Sequence, residues 1–244
     1  MENTDAACPH VLRCLCPEPS VSSPKPGQKI RKILIDDNEK RTWLEEKFSF
    51  YASYHNDAVN QFIHIICIWP ILLTFLLFVT YTPTFFTMAN PISGILKVQF
   101  GLSIPAIIDV NMCFIVATYY MLVYMVVEIP GIVGTLAALL VLACFLLVQH
   151  IREAHPDFLL PAIVIHVVCW LAQFYGHAFH EGRSPALLDN LYQALVMAPL
   201  FVLMEIFFVF GYRPKFRSKI QRIVDKNIME FKQRSTALEA SKKD

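Results

Sequence analysis

Charge is scarce in the middle of this chain. Of its 244 residues, 17% are Asp, Glu, Lys or Arg, against about a quarter in an ordinary soluble domain. Of the 21 Lys and Arg, eight precede residue 61 and ten follow residue 212, so only Lys97, Arg152 and Arg183 lie between. No Gly-rich phosphate loop, nucleophile elbow or pair of catalytic cysteines occurs, which argues against nucleotide-dependent and acyl-hydrolase chemistry. The basic ends lack interleaved aromatics, so no nucleic-acid partner is expected. No apolar leader with a small-residue cleavage site opens the chain, and no secretory signal is expected. Cys8, Cys14 and Cys16 with His10 fit no closed four-ligand zinc spacing. Cys67, Cys113, Cys144 and Cys169 fall in apolar stretches as small packing residues. A disulfide framework is not indicated.

What fills the middle is hydrocarbon. Five apolar blocks cover roughly 61–80, 104–127, 131–149, 158–179 and 191–212, each near the ~20 residues that a helix needs to cross a bilayer. Helices satisfy their own backbone in lipid, so the expected fold is all-α, a polytopic helical membrane bundle with four to six membrane segments. A cytosolic tail over 1–47, punctuated by five prolines, precedes a membrane domain over 48–212, and a basic cytosolic tail follows over 213–244. Charge at both ends puts both termini on the cytosolic side. That requires an even number of spans from five blocks. Either one block turns back, with Pro70 or Pro199 marking a broken or re-entrant helix, or one break between blocks is misplaced.

Two stretches carry chemistry. The first runs from Tyr51 through Tyr54-His55, Asn60 and His64, where the charged N-terminal region meets the first block. An ionisable side chain in an apolar segment is a functional candidate by default. Asn60 and His64, four apart, share a helix face, whereas His55 and His64, nine apart, do not. If both bind one metal, the backbone must break near Asn56-Asp57, a plausible helix start. The second stretch is the fourth block, where His166, Trp170, Gln173 and His177 form one helical stripe. Such a stripe faces protein, water or a metal. Gly176 would let a neighbouring backbone come close. Imidazole suits zinc, copper, iron and nickel alike. Three readings stay open on the residues alone: a metal-dependent enzyme, a haem-binding electron carrier, and a non-catalytic membrane scaffold.

Both stretches resemble a known family. Phe50-Tyr51, Tyr54-His55, Asn60 and Ile63-His64 are similar to the opening signature of the yeast-type 2-hydroxy fatty acid dioxygenases of the endoplasmic reticulum. The closing signature resembles Trp170, Gln173-Phe174, Gly176-His177, Glu181, Arg183, Pro185-Ala186-Leu187, Asp189-Asn190-Leu191, Gln193-Ala194-Leu195 and Ala198-Pro199. The resemblance implies Fe(2+)-dependent α-oxidation in the endoplasmic reticulum membrane. A 2-hydroxy fatty acid and molecular oxygen would yield the acid one carbon shorter, in the degradation of phytosphingosine. It also implies a metal site drawn from His55, His64, His150 and His177. Asn60, Gln173 and Glu181 would orient ligand imidazoles, and Arg183 would bind the substrate carboxylate. Two departures are visible: Gln149 stands where the family has an aspartate, and the proline expected at Trp69 comes at Pro70.

Overall fold

The computed structural model of the chain describes residues 41–91, 93–100, 107–128, 131–182 and 190–241. Helix α1 (Trp43–Tyr54) opens on a reciprocal cap. The Thr42 hydroxyl accepts from the Glu45 N–H, and the Glu45 carboxylate accepts from the Thr42 N–H. Phe48 and Tyr51 on its inner face pack against Phe201. The helix stops at His55, and Asp57 starts α2 (Ala58–Thr80) by accepting from the Val59 and Asn60 N–H groups. This is the interruption that two histidines nine residues apart require.

At 23 residues, α2 is about 34 Å long, enough to cross a hydrocarbon core of about 30 Å. Pro70 lies inside it without ending it, so the first block does not turn back there. Beyond Thr80 the chain forms a short antiparallel hairpin, β1 (Phe86–Ala89) with β2 (Ile107–Val110), Phe86 opposite Val110. Helix α3 (Ser93–Phe100) lies between the strands in sequence. Among the described residues the second apolar block is therefore helical from Met112. Asn111 sets that start: its side-chain oxygen accepts from the Cys113 and Phe114 N–H groups, and its amide donates to the Thr80 carbonyl. The resulting α4 (Met112–Val127) has 16 residues, about 24 Å.

Two more long helices follow, α5 (Ile132–Ala154) and α6 (Leu159–Tyr175), the latter continuing through a π-helical turn, Gly176–Glu181. A second π-helical turn, Gln193–Met197, leads into α7 (Ala198–Val209). Pro199 sits at this irregular start, where its missing N–H costs least. The chain then bends by 114° into α8 (Pro214–Ser241). Among the described residues three helices are long and apolar enough to cross a membrane, and four if the bent pair counts as one span. Leu160, Val164, Val168 and Leu171 of α6 are exposed, as expected of a face turned to lipid rather than water. The protein is an all-α helical membrane bundle carrying one small hairpin.

Helices α2 and α6 run antiparallel, His64 beside His177 at one end and Thr74 beside His166 further along. Their close approach depends on Gly176: a Cβ there would stand 2.5 Å from the Asn60 side-chain oxygen. The core between the helices includes Leu76, Ala117, Tyr124, Val141, Leu200, Phe201 and Met204, all buried. A polar clamp sits at the end of α4. The fully buried Glu128 carboxylate accepts from the Gly134 N–H (3.0 Å), the Tyr212 hydroxyl (2.9 Å) and the Arg213 guanidinium (3.0 Å). It ties the end of α4 to α5 and to the bend before α8. Glu128→Ala is expected to lower stability by about 2 kcal/mol, because it strands charge-assisted donors. Glu128→Gln should cost less. Thermal unfolding in detergent measures both.

Candidate metal centre

Three segments deliver three buried imidazoles to one point. His55 ends α1, His64 lies in the second turn of α2, and His177 is in the π-helical turn after α6. Ring centroids are 4.2 Å apart for His55 and His64, 4.8 Å for His55 and His177, and 5.0 Å for His64 and His177. One ligand nitrogen from each lies within 4.8 Å of the other two. Two nitrogens at about 2.1 Å from one ion are at most about 4.2 Å apart, so small side-chain adjustments suffice for a shared metal.

The backbone decides which nitrogens point inward. His55 Nδ1 is 2.8 Å from the Tyr51 carbonyl, and His64 Nδ1 is 2.9 Å from the Asn60 carbonyl. A carbonyl only accepts, so each Nδ1 carries the proton and each Nε2 offers a lone pair. This is how metal-bound imidazoles are ordinarily held. His55 Nε2 and His177 Nδ1 are buried with no partner among the described residues. Unpartnered imidazole nitrogens gathered at one buried point could hold a metal ion, and imidazole suits first-row transition metals. The void beside them is about 40 Å³, too small for a porphyrin, which disfavours the haem reading.

The neighbouring groups act on both the backbone and the rings. Among the described residues the Glu181 carboxylate bonds to main-chain and amide groups. It accepts from the Asn56 N–H (3.0 Å), the Asp57 N–H (2.9 Å) and the Asn60 amide (3.3 Å). It thereby fastens the break between α1 and α2 to the turn that carries His177. Asn60 serves His64 through its main-chain carbonyl and Glu181 through its side chain. Gln173 is buried one turn before His177, beside the void, and its amide nitrogen has no partner among the described residues. Gln61 donates to the His55 carbonyl at 2.7 Å. Tyr51 stacks on His55 at 4.1 Å and donates to Glu205 at 3.3 Å. The positioning roles of Tyr51 and Gln61 were not anticipated from sequence. A signal existed, since Tyr51 precedes His55 by the same four residues that separate Asn60 from His64.

His150 is elsewhere. It lies near the end of α5, its ring 6.2 Å from His155. Two residues on, Arg152 pairs with Asp109 of β2 at 3.3 Å. That hairpin follows the far end of α2, and the 16 residues from His64 to Thr80 span about 24 Å. Arg183 lies outside the described residues.

The sequence matches, over residues 42–209, the family described as 2-hydroxy-palmitic acid dioxygenase Mpo1-like. The chain belongs to the Mpo1-like family. It is similar to the 2-hydroxy-palmitic acid dioxygenase MPO1 of Saccharomyces cerevisiae, 27% identical over 196 residues, which cover 80% of this chain and 95% of that relative. No solved structure matches it significantly. All three clustered histidines of this Mpo1-like chain fall inside the matched region.

Two outcomes test the centre. His64→Ala and His177→Ala should each lower bound metal at least about tenfold, and His150→Ala should leave it in place, as read by elemental analysis of the purified protein. The second concerns pH. Burial, and then the neighbouring His64 and His177 rings, hold His55 well below its usual value of 6.5. The unfolded chain therefore binds this proton more readily than the folded one. The corresponding stability is complete above about pH 6.5 and is lost as pH falls toward the folded value. The Tm of the metal-free protein should drop between pH 7.5 and about 5.5, and His55→Gln should flatten that slope.

Proposed function

We propose that this chain is an Fe(2+)-dependent dioxygenase that shortens 2-hydroxy fatty acids by one carbon. The observation that carries the reading is the buried trio His55, His64 and His177, on a chain related to a 2-hydroxy-palmitic acid dioxygenase. Ferrous iron, when bound, supplies the electrons that oxygen needs to react with a closed-shell substrate. His55, His64 and His177 would hold it. The Nδ1–H bonds to the Tyr51 and Asn60 carbonyls keep two imidazoles in the ligating tautomer. Glu181 keeps the two halves of the site together, and burial excludes bulk water from reactive species. Arg183 is the proposed partner of the substrate carboxylate, because a guanidinium matches that fork.

The atoms balance with one oxygen molecule. A 2-hydroxy acid and O2 give the acid one carbon shorter, carbon dioxide and water. In this reading the enzyme resides in the endoplasmic reticulum membrane and serves phytosphingosine breakdown, where such hydroxy acids arise.

Purified protein loaded with ferrous iron should convert 2-hydroxypalmitate to pentadecanoate in air and not under argon. A chelator should abolish turnover, and ferrous iron, not zinc, should restore it. Full turnover by both His64→Ala and His177→Ala would end this reading and favour the scaffold alternative.

A further inference from the structure

Beside the histidine trio a second, larger cavity opens between helices. It measures about 310 Å³ and lies among α2, α4, α6 and the turn before α7. Ile68, Trp170 and Ala194 border both it and the void at the histidines. Those three residues come from three separate segments and form the boundary that the two spaces share. The cavity extends to Phe75 on α2 and His166 on α6. Each lies eleven residues from its histidine, His64 or His177, a rise of about 16 Å along the helix.

The two spaces differ in polarity. At the histidine end, His55 Nε2, His177 Nδ1 and Gln173 Nε2 are buried with no partner among the described residues. In the larger cavity the polar groups of the wall are tied to one another. The Trp170 indole N–H donates to His166 Nε2 at 3.0 Å, which leaves Nδ1 as the protonated nitrogen, 2.8 Å from the Thr74 hydroxyl. The Thr74 hydroxyl donates on to the Pro70 carbonyl at 2.8 Å. The Tyr120 hydroxyl donates to the Leu195 carbonyl at 3.0 Å, and the Tyr119 and Tyr192 hydroxyls pair at 3.4 Å. A wall whose polar groups are already bonded presents carbon to its guest. Unsatisfied polar atoms at one end and an apolar wall at the other describe an amphiphile with a small polar head.

We propose that this cavity binds the acyl chain of the substrate, with Ile68, Trp170 and Ala194 as the neck between the two spaces and Val116 and Ile71 as residues that set chain length. The assignment deepens the dioxygenase reading and rests on it for the head group. It also gives a place to the His166 end of the helical stripe, which the metal does not use: His166 holds the Trp170 ring as one side of the neck. Helix α6 packs chiefly against α2 and little against α4, so the chain can enter sideways from the bilayer.

The test uses full-length protein in detergent and two readouts. First, 2-hydroxypalmitate carrying a terminal diazirine is photolysed on the protein. Label is expected on the peptides that hold Phe75, Val116 and His166, and unlabelled 2-hydroxypalmitate should compete it away. Second, Val116→Phe and Ile71→Phe, from different helices, each narrow the cavity away from the histidines. Each should lower the ratio of turnover on 2-hydroxypalmitate to that on 2-hydroxyoctanoate by about tenfold or more, with bound metal unchanged. Label spread over the outward face of α6, as bulk lipid would give, or an unchanged ratio in both variants, overturns the proposal. Cavity labelling without turnover of any 2-hydroxy acid would leave the chain site standing and remove the dioxygenase reading. Turnover with label elsewhere would do the reverse.

Discussion

One carboxylate makes the rest of the site possible. His55 and His64 belong to consecutive helices, and they face each other only because the backbone stops being helical at Asn56 and Asp57. Such a break leaves main-chain N–H groups without helical partners. Glu181 accepts from both and from the Asn60 side chain. It arrives from the turn that carries His177, so the group that satisfies the break also brings the third imidazole. Removing water from this corner is tolerable because the donors are answered by protein.

The same economy appears in the histidines themselves. Each of the first two uses the carbonyl four residues earlier to fix its tautomer, so no additional side chain is needed to orient the ring. That differs from the arrangement in which a carboxylate backs each ligand. Of the residues expected near the rings, Glu181 accepts from the Asn56 and Asp57 N–H groups and the Asn60 amide, and Gln173 lines the void beside the imidazoles.

A site at the end of a membrane helix meets two media. The α6 stripe crosses from one to the other: His177 and Gln173 stand at the metal end, Trp170 at the shared boundary, and His166 in the apolar wall. On a helix whose outward face meets lipid, such a stripe has a single inward direction, toward α2. The substrate class suggested by the family relationship has the same duality, a polar head and a long apolar tail.

The family resemblance narrowed the expected ligands to His55, His64, His150 and His177; the residues alone determined the membrane class, the helical content of most blocks, the need for a break before Asp57, and His55, His64, His166 and His177 as candidates. Those conclusions rest on hydrophobic length and on helical spacing, which are local properties. They did not reveal that the second block contains the strand Ile107–Val110, because Asn111 caps α4 by bonding to Thr80, thirty-one positions earlier. Nor did they separate His150 from the other three, since all four share a residue type and an apolar neighbourhood. Tertiary structure separated them: a helix that crosses the bilayer puts its two ends about 30 Å apart, and which histidines meet depends on which ends of which helices lie together.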